Sequence, residues 1–122
     1  MSTSPNIWVI DDDHAIRWVL ERALSRESMT VTAFSSAEGV LRKLDREQPD
    51  ALISDVRMPG TDGMTLLREV TQRHPELPVI IMTAFSDLDS AVSAYQGGAF
   101  EYLPKPFDVD EAVELLRADT LA

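Results

Sequence analysis

Cysteine is absent from the 122-residue chain, which excludes a disulfide framework and a thiolate zinc site. That absence fits a cytoplasmic location, which is the expected one. Long apolar runs are missing too. None approaches the roughly 18 residues that a spanning helix requires. The first residues, Met1-Ser2-Thr3-Ser4-Pro5, have neither the charged nor the apolar stretch of a secretory leader, so no membrane association is expected. Basic residues are in short supply, with 11 Lys and Arg against 21 Asp and Glu and a formal net charge of −10. Such a surface repels phosphate backbones, so this chain is not expected to bind nucleic acid directly. Repeats, low-complexity tracts and linker-like stretches are also lacking. The hydrophobic share of 44% and charged share of 26% are those of an ordinary globular domain, and the expected organisation is one domain over residues 1–122.

What is present is an alternation. Short apolar runs at Ile7–Ile10, Val31–Phe34, Ala51–Ile53, Val79–Met82 and Phe100–Leu103 are separated by helical patterns. A continuous run such as Val79-Ile80-Ile81-Met82 predicts a strand buried on both faces. Thr30-Val31-Thr32-Ala33-Phe34 alternates instead, as an edge strand would. Ile16, Val19, Leu20, Ala23 and Leu24 form one apolar stripe of a first helix. Leu88, Ala91, Val92 and Tyr95 stripe the helix before the fifth strand, which Gly97-Gly98 should end. Val109, Ala112, Val113 and Leu116 stripe the last helix, expected to finish near Leu116. The pairs Ser35 with Glu38, Ser86 with Asp89, and Asp108 with Glu111 have the spacing of capping boxes or close variants. Five such βα units predict an α/β fold, a three-layer doubly wound parallel sheet with five helices. Ligands of these sheets bind beyond the carboxyl ends of the strands, where the strand order reverses.

Those ends carry the chemistry. Asp11-Asp12-Asp13 follow the first strand, Asp55 the third, Thr83 the fourth and Lys105 the fifth. Acids after strands one and three become neighbours in the order 2-1-3-4-5, which is the order expected. Packed carboxylates repel, and a hard divalent cation resolves the conflict. Mg²⁺ suits few carboxylates supplemented by water and phosphate oxygens. A nucleophilic carboxylate, a lysine for one phosphate oxygen and a threonine hydroxyl for another complete the parts that phosphoryl transfer uses. Taken singly, each residue is ordinary. An acid pair after a strand is often a helix cap, Asp55 could be a turn residue before Met58-Pro59-Gly60, and Lys105 a solvated loop lysine. Their joint arrival at the ends of buried strands points to an aspartyl phosphate.

At these residues the sequence resembles the response-regulator receiver family of two-component systems, whose sheet is flavodoxin-like. The resemblance runs from Ile7 to about Leu116. It is carried by Val9-Ile10-Asp11-Asp12, Ser54-Asp55-Val56-Arg57-Met58-Pro59-Gly60, Asp62-Gly63, Met82-Thr83-Ala84 and Tyr102-Leu103-Pro104-Lys105-Pro106-Phe107. Further similarity to the nitrogen-regulatory branch of that family lies in Ile16-Arg17-Trp18-Val19-Leu20-Glu21-Arg22-Ala23-Leu24, Ser86-Asp87-Leu88-Asp89 and Ala91-Val92-Ser93-Ala94-Tyr95-Gln96. The resemblance implies Asp55 as phosphoacceptor, with Asp11, Asp12, Asp55 and the backbone carbonyl of Arg57 around Mg²⁺. Thr83 and Lys105 would each hold a phosphoryl oxygen, and the Lys105-Pro106 bond would be cis. Thr83 and Tyr102 would form the switch, and the helix before strand five the output face. Asp13 is either an acid behind the metal ligands or the cap of the first helix. Phe85, which has no donor or acceptor to orient water, is expected to slow loss of the phosphoryl group.

By the same resemblance, the phosphoryl donor is a sensor histidine kinase, and the output domains are an ATPase and a DNA-binding domain of a longer regulator that controls transcription. Whether phosphorylation makes or breaks a dimer is left open. The domain would not be an enzyme beyond catalysing its own phosphorylation and dephosphorylation. An aspartate-nucleophile phosphatase is disfavoured because Arg57 stands where a general acid would be needed. A flavin module is disfavoured because the first strand-end loop is acidic and lacks the small residues that cradle a phosphate. A receiver degenerated into a mere binding module is disfavoured because no essential residue is missing.

Overall fold

The computed structural model describes residues 4–55, 63–84, 101–105 and 108–121. Five strands form one parallel sheet: β1 (Asn6–Ile10), β2 (Thr30–Phe34), β3 (Ala51–Asp55), β4 (Val79–Ala84) and β5 (Glu101–Lys105), in the order β2-β1-β3-β4-β5. Each central strand splits its side chains between two cores, as the two-residue period of a strand dictates. Trp8, Ile10, Leu52, Val79 and Ile81 join one, and Ile7, Val9, Ala51, Ile53, Ile80 and Met82 the other. That double burial explains why these strands read as unbroken apolar runs. β2 has no fully buried residue, in keeping with its edge position.

Helices cover both faces. Leu20 and Leu24 of α1 (His14–Arg26) join Ala112, Val113 and Leu116 of α4 (Val109–Leu121) over one core. Val40 and Leu44 of α2 (Val40–Leu44) join Leu66, Leu67 and Val70 of α3 (Gly63–Arg73) over the other. The result is the expected three-layer arrangement. The helix read from Leu88 to Tyr95, with its Ser86–Asp89 cap and Gly97-Gly98 stop, lies outside the described residues.

Two boundaries differ from the sequence reading. Ser35 and Glu38 do not cap a helix. The Glu38 N–H donates to Ser36 Oγ at 3.3 Å, and Gly39, at φ 83°, takes the left-handed conformation before α2 begins at Val40. That conformation is open to glycine at little cost, so the turn extends and the helix shortens to five residues. α4 runs on to Leu121, beyond the expected stop near Leu116. No glycine or proline interrupts Arg117-Ala118-Asp119-Thr120-Leu121, and Arg117 forms an ion pair with Glu27 at the end of α1. At the start of α4 Asp108 does act as a cap, though through the Asp110 N–H, which its Oδ1 accepts at 3.0 Å, while Glu111 meets it through the backbone.

Candidate functional site

Strand register brings the chemistry together. Ile10 lies opposite Ser54, and Asp55 opposite Met82, whose own neighbour is Leu103. Asp11, Asp55, Thr83 and Lys105 therefore all fall within two residues of one row at the carboxyl edge. The backbone of Thr83 pairs with Pro104, and that of Lys105 with Ala84.

Asp11 is fully buried, and its carboxylate is engaged at both oxygens. Oδ1 accepts the Asp13 N–H at 2.9 Å, and Oδ2 accepts from Lys105 Nζ at 2.9 Å. The same ammonium stands 3.5 Å from Asp55 Oδ1. Burial pulls the Lys105 pKa down, but the hydrogen bond to Asp11 and the charges of Asp11 and Asp55 outweigh it. The ammonium is held above its ordinary value. Lys105 is therefore a cation poised between two acids.

One carboxylate oxygen from each of Asp11, Asp12 and Asp55 lies within 4.8 Å of the others. In a magnesium octahedron with ligands at 2.0–2.1 Å, opposite oxygens stand about 4.2 Å apart. Adjacent oxygens of the octahedron stand about 2.9 Å apart, so the three carboxylates would draw together around the ion. The three carboxylates outnumber the cations beside them, Lys105 on the Asp11 carboxylate and Arg17 on the Asp11 carbonyl, so the cluster keeps a net negative charge that favours a cation. The donor set is all oxygen and open to solvent at the exposed Asp12, so it fits a hard cation that retains water.

Asp13 was open between two roles. Its Oδ1 accepts the Ala15 N–H at 2.9 Å, and its backbone is extended at φ −84°, ψ 114°. That is the N-cap geometry of α1. Among the described residues it is not in the carboxylate cluster. Tyr102 is half-buried, packs against the core around Trp8 and Ile81, and lines an open groove of about 540 Å³ between β5 and α4. Arg57, with its expected carbonyl ligand, Phe85 and Pro106 with its expected cis bond lie outside the described residues.

One residue near the site has no site role in the sequence, where it stands only within the Ile16–Leu24 stretch of family resemblance. Arg17 Nη1 donates to the backbone carbonyl of Asp11 at 2.7 Å. The available signal was a cation in the first turn of a helix, where the dipole disfavours it.

Known proteins resemble this chain in both sequence and fold. Over 110 residues, 90% of the chain, the sequence is 64% identical to the DNA-binding transcriptional regulator NtrC of Escherichia coli (strain K12), covering 24% of that relative. The chain thus spans about a quarter of the length of the curated relatives it matches. The apo receiver domain of nitrogen regulatory protein C superposes with a TM-score of 0.87 at 60% identity, with 96% of this chain and 94% of that one covered. A transiently phosphorylated switch in bacterial signal transduction superposes with a TM-score of 0.83 at 58% identity, with 98% and 97% covered. Among the described residues, no helix is long and apolar enough to cross a membrane. Residues 7–117 match the response regulator receiver domain, and the chain belongs to that family, as a receiver of the NtrC type.

Proposed function

We propose that Asp55 accepts a phosphoryl group from the phosphohistidine of a sensor histidine kinase, in a Mg²⁺-dependent reaction. The observation that carries this reading is the convergence of Asp11, Asp12 and Asp55 with the Lys105 ammonium at one sheet edge. A carboxylate oxygen of Asp55 attacks phosphorus, the bond from phosphorus to the donor nitrogen breaks, and the electron pair leaves with the imidazole, which takes up a proton. Asp11, Asp12, Asp55 and the Arg57 carbonyl would hold Mg²⁺, which when bound neutralises charge on the phosphoryl oxygens. Lys105 pairs with one phosphoryl oxygen and the Thr83 hydroxyl bonds another. The likeness to a transiently phosphorylated switch supports the same assignment.

Residues 1–122 act as one cytoplasmic receiver unit that works on itself rather than turning over a substrate, and its autophosphatase activity belongs to the same chemistry. Thr83 and Tyr102 couple the charge on Asp55 to the face formed by β5 and the segment from Ala84 to Ala99, a two-state change biased by a local modification. That change governs attached output domains, by analogy with the DNA-binding transcriptional regulator of which the matched segment is a part. Nitrogen-responsive transcription is the output this analogy favours. A dimer controlled by phosphorylation is a further partner state, and neither nucleic acid nor membrane is bound by this segment.

Incubation with acetyl phosphate, with Mg²⁺ or with excess chelator, tests the reading by intact mass. One phosphoryl group should be gained with Mg²⁺ and none with chelator. Equal gain in both would remove the cation from the account.

A further inference from the structure

The bond from Arg17 to Asp11 has a role beyond tidying a helix end. Asp11 is fully buried, and its N–H continues the sheet ladder to the Phe34 carbonyl at 3.0 Å. Among the described residues the β1 pairings end at Ile10, one residue before. The Asp11 carbonyl takes the Arg17 guanidinium at 2.7 Å; a buried carbonyl without a partner would be costly. Arg17 sits in the first turn of α1, where a cation opposes the helix dipole, and the acid at that end is the capping Asp13. Asp11 is thereby fixed at its carbonyl by Arg17, at Oδ1 by the Asp13 N–H and at Oδ2 by Lys105.

We propose that Arg17 is a positioning residue for the cation site: its guanidinium pins the Asp11 carbonyl, so that the β1–α1 turn holds the Asp11 and Asp12 carboxylates aimed at the cluster with Asp55. This rests on the reading of Asp11 and Asp12 as cation ligands. Two effects of removing Arg17 have opposite signs, which makes the idea testable. As a nearby positive charge, Arg17 should weaken cation binding, so its loss would tighten it. As a pin, it preorganises the ligands, so its loss weakens binding, in line with the 10–100-fold effects typical of groups that orient metal ligands.

Calorimetric titration of the 122-residue chain with Mg²⁺ separates them. Arg17→Met should bind about tenfold more weakly than the parent, with faster solvent exchange of the Asp13 amide proton. Its phosphorylation by acetyl phosphate should return to within about twofold of the parent at saturating Mg²⁺, the pattern of lost binding rather than lost chemistry. Arg17→Lys, which keeps a donor and the charge, should fall between the two. Unchanged or tighter binding by Arg17→Met overturns the proposal. Should Arg17→Met fail to fold, Arg17→Lys carries the test: weaker binding supports the pin, and parental binding overturns it. A parent chain that binds no Mg²⁺ overturns the cation-site reading with it, whereas a binding parent with an unaffected variant overturns only the role of Arg17.

Discussion

Lys105 does two jobs with one ammonium. Without a cation it is the counter-charge paired, at 2.9 Å, with the fully buried Asp11 carboxylate. Removing one member of a buried pair leaves an uncompensated charge, typically a loss of several kcal/mol. The Lys105 side chain is 24% exposed at the rim, so solvent screens part of that, and Lys105→Met should lose about 2 kcal/mol of metal-free stability by urea denaturation. The pH dependence follows from the raised pKa. A group whose folded pKa lies above its unfolded one contributes stability that is fully present below the ordinary lysine value of 10.5. That contribution is lost as pH rises through the folded value. Urea midpoints should fall more steeply above pH 10.5 in the parent than in Lys105→Met. Parallel curves would contradict the pairing. The sequence made Lys105 and the acids legible because each stands at a strand end. Arg17 was not legible, because a helical arginine reads as solvated charge until its donor is seen on the Asp11 carbonyl.

At the level of elements, local hydrogen bonds decide what periodicity cannot. The apolar stripe of α1 announces a helix but does not say whether Asp13 faces the cation or the helix. The Ala15 N–H on Asp13 Oδ1 answers that. Asp13→Ala should therefore cost about 1 kcal/mol in stability, while phosphoryl uptake at saturating Mg²⁺ stays close to parental. A complete loss of uptake in a folded Asp13→Ala chain would return the residue to the cation site. α1 closes through Ser28 at φ 63°, a left-handed position that suits glycine. Ser28→Gly should raise the urea midpoint slightly, by about 0.5 kcal/mol in stability. The shortening of α2 has the same kind of origin. The Ser35–Glu38 spacing satisfied a capping pattern, but Gly39 admits a left-handed turn that side-chain spacing does not reveal.

For the whole molecule, the fold was legible because parallel topology and chemistry constrain each other. Runs buried on both faces predict the sheet, and acids after strands one and three choose the order that makes those strands neighbours. The consequence is a domain whose functional edge is rich in negative charge, with Asp11 and Asp55 sharing one ammonium and Asp12 beside them. A ligand that binds only the folded state stabilises it by RT ln(1 + [L]/Kd), about 2.7 kcal/mol at a hundredfold excess over Kd. Adding Mg²⁺ should therefore raise the melting temperature by several degrees, chelator should reverse the rise, and Asp12→Asn should blunt it. An unchanged melting temperature across millimolar Mg²⁺ would contradict the fit of that cluster to a divalent cation.

The account stands on Asp55 being the phosphoacceptor. Acyl phosphates are reduced by borohydride, so trapping the chain after Mg²⁺ and acetyl phosphate treatment, followed by peptide mass mapping, locates the modified carboxylate directly. The predicted result is reduction at Asp55 alone in the parent and none in Asp55→Asn. Reduction at Asp11 or Asp12, or an Asp55→Asn chain modified as fully as the parent, would contradict it.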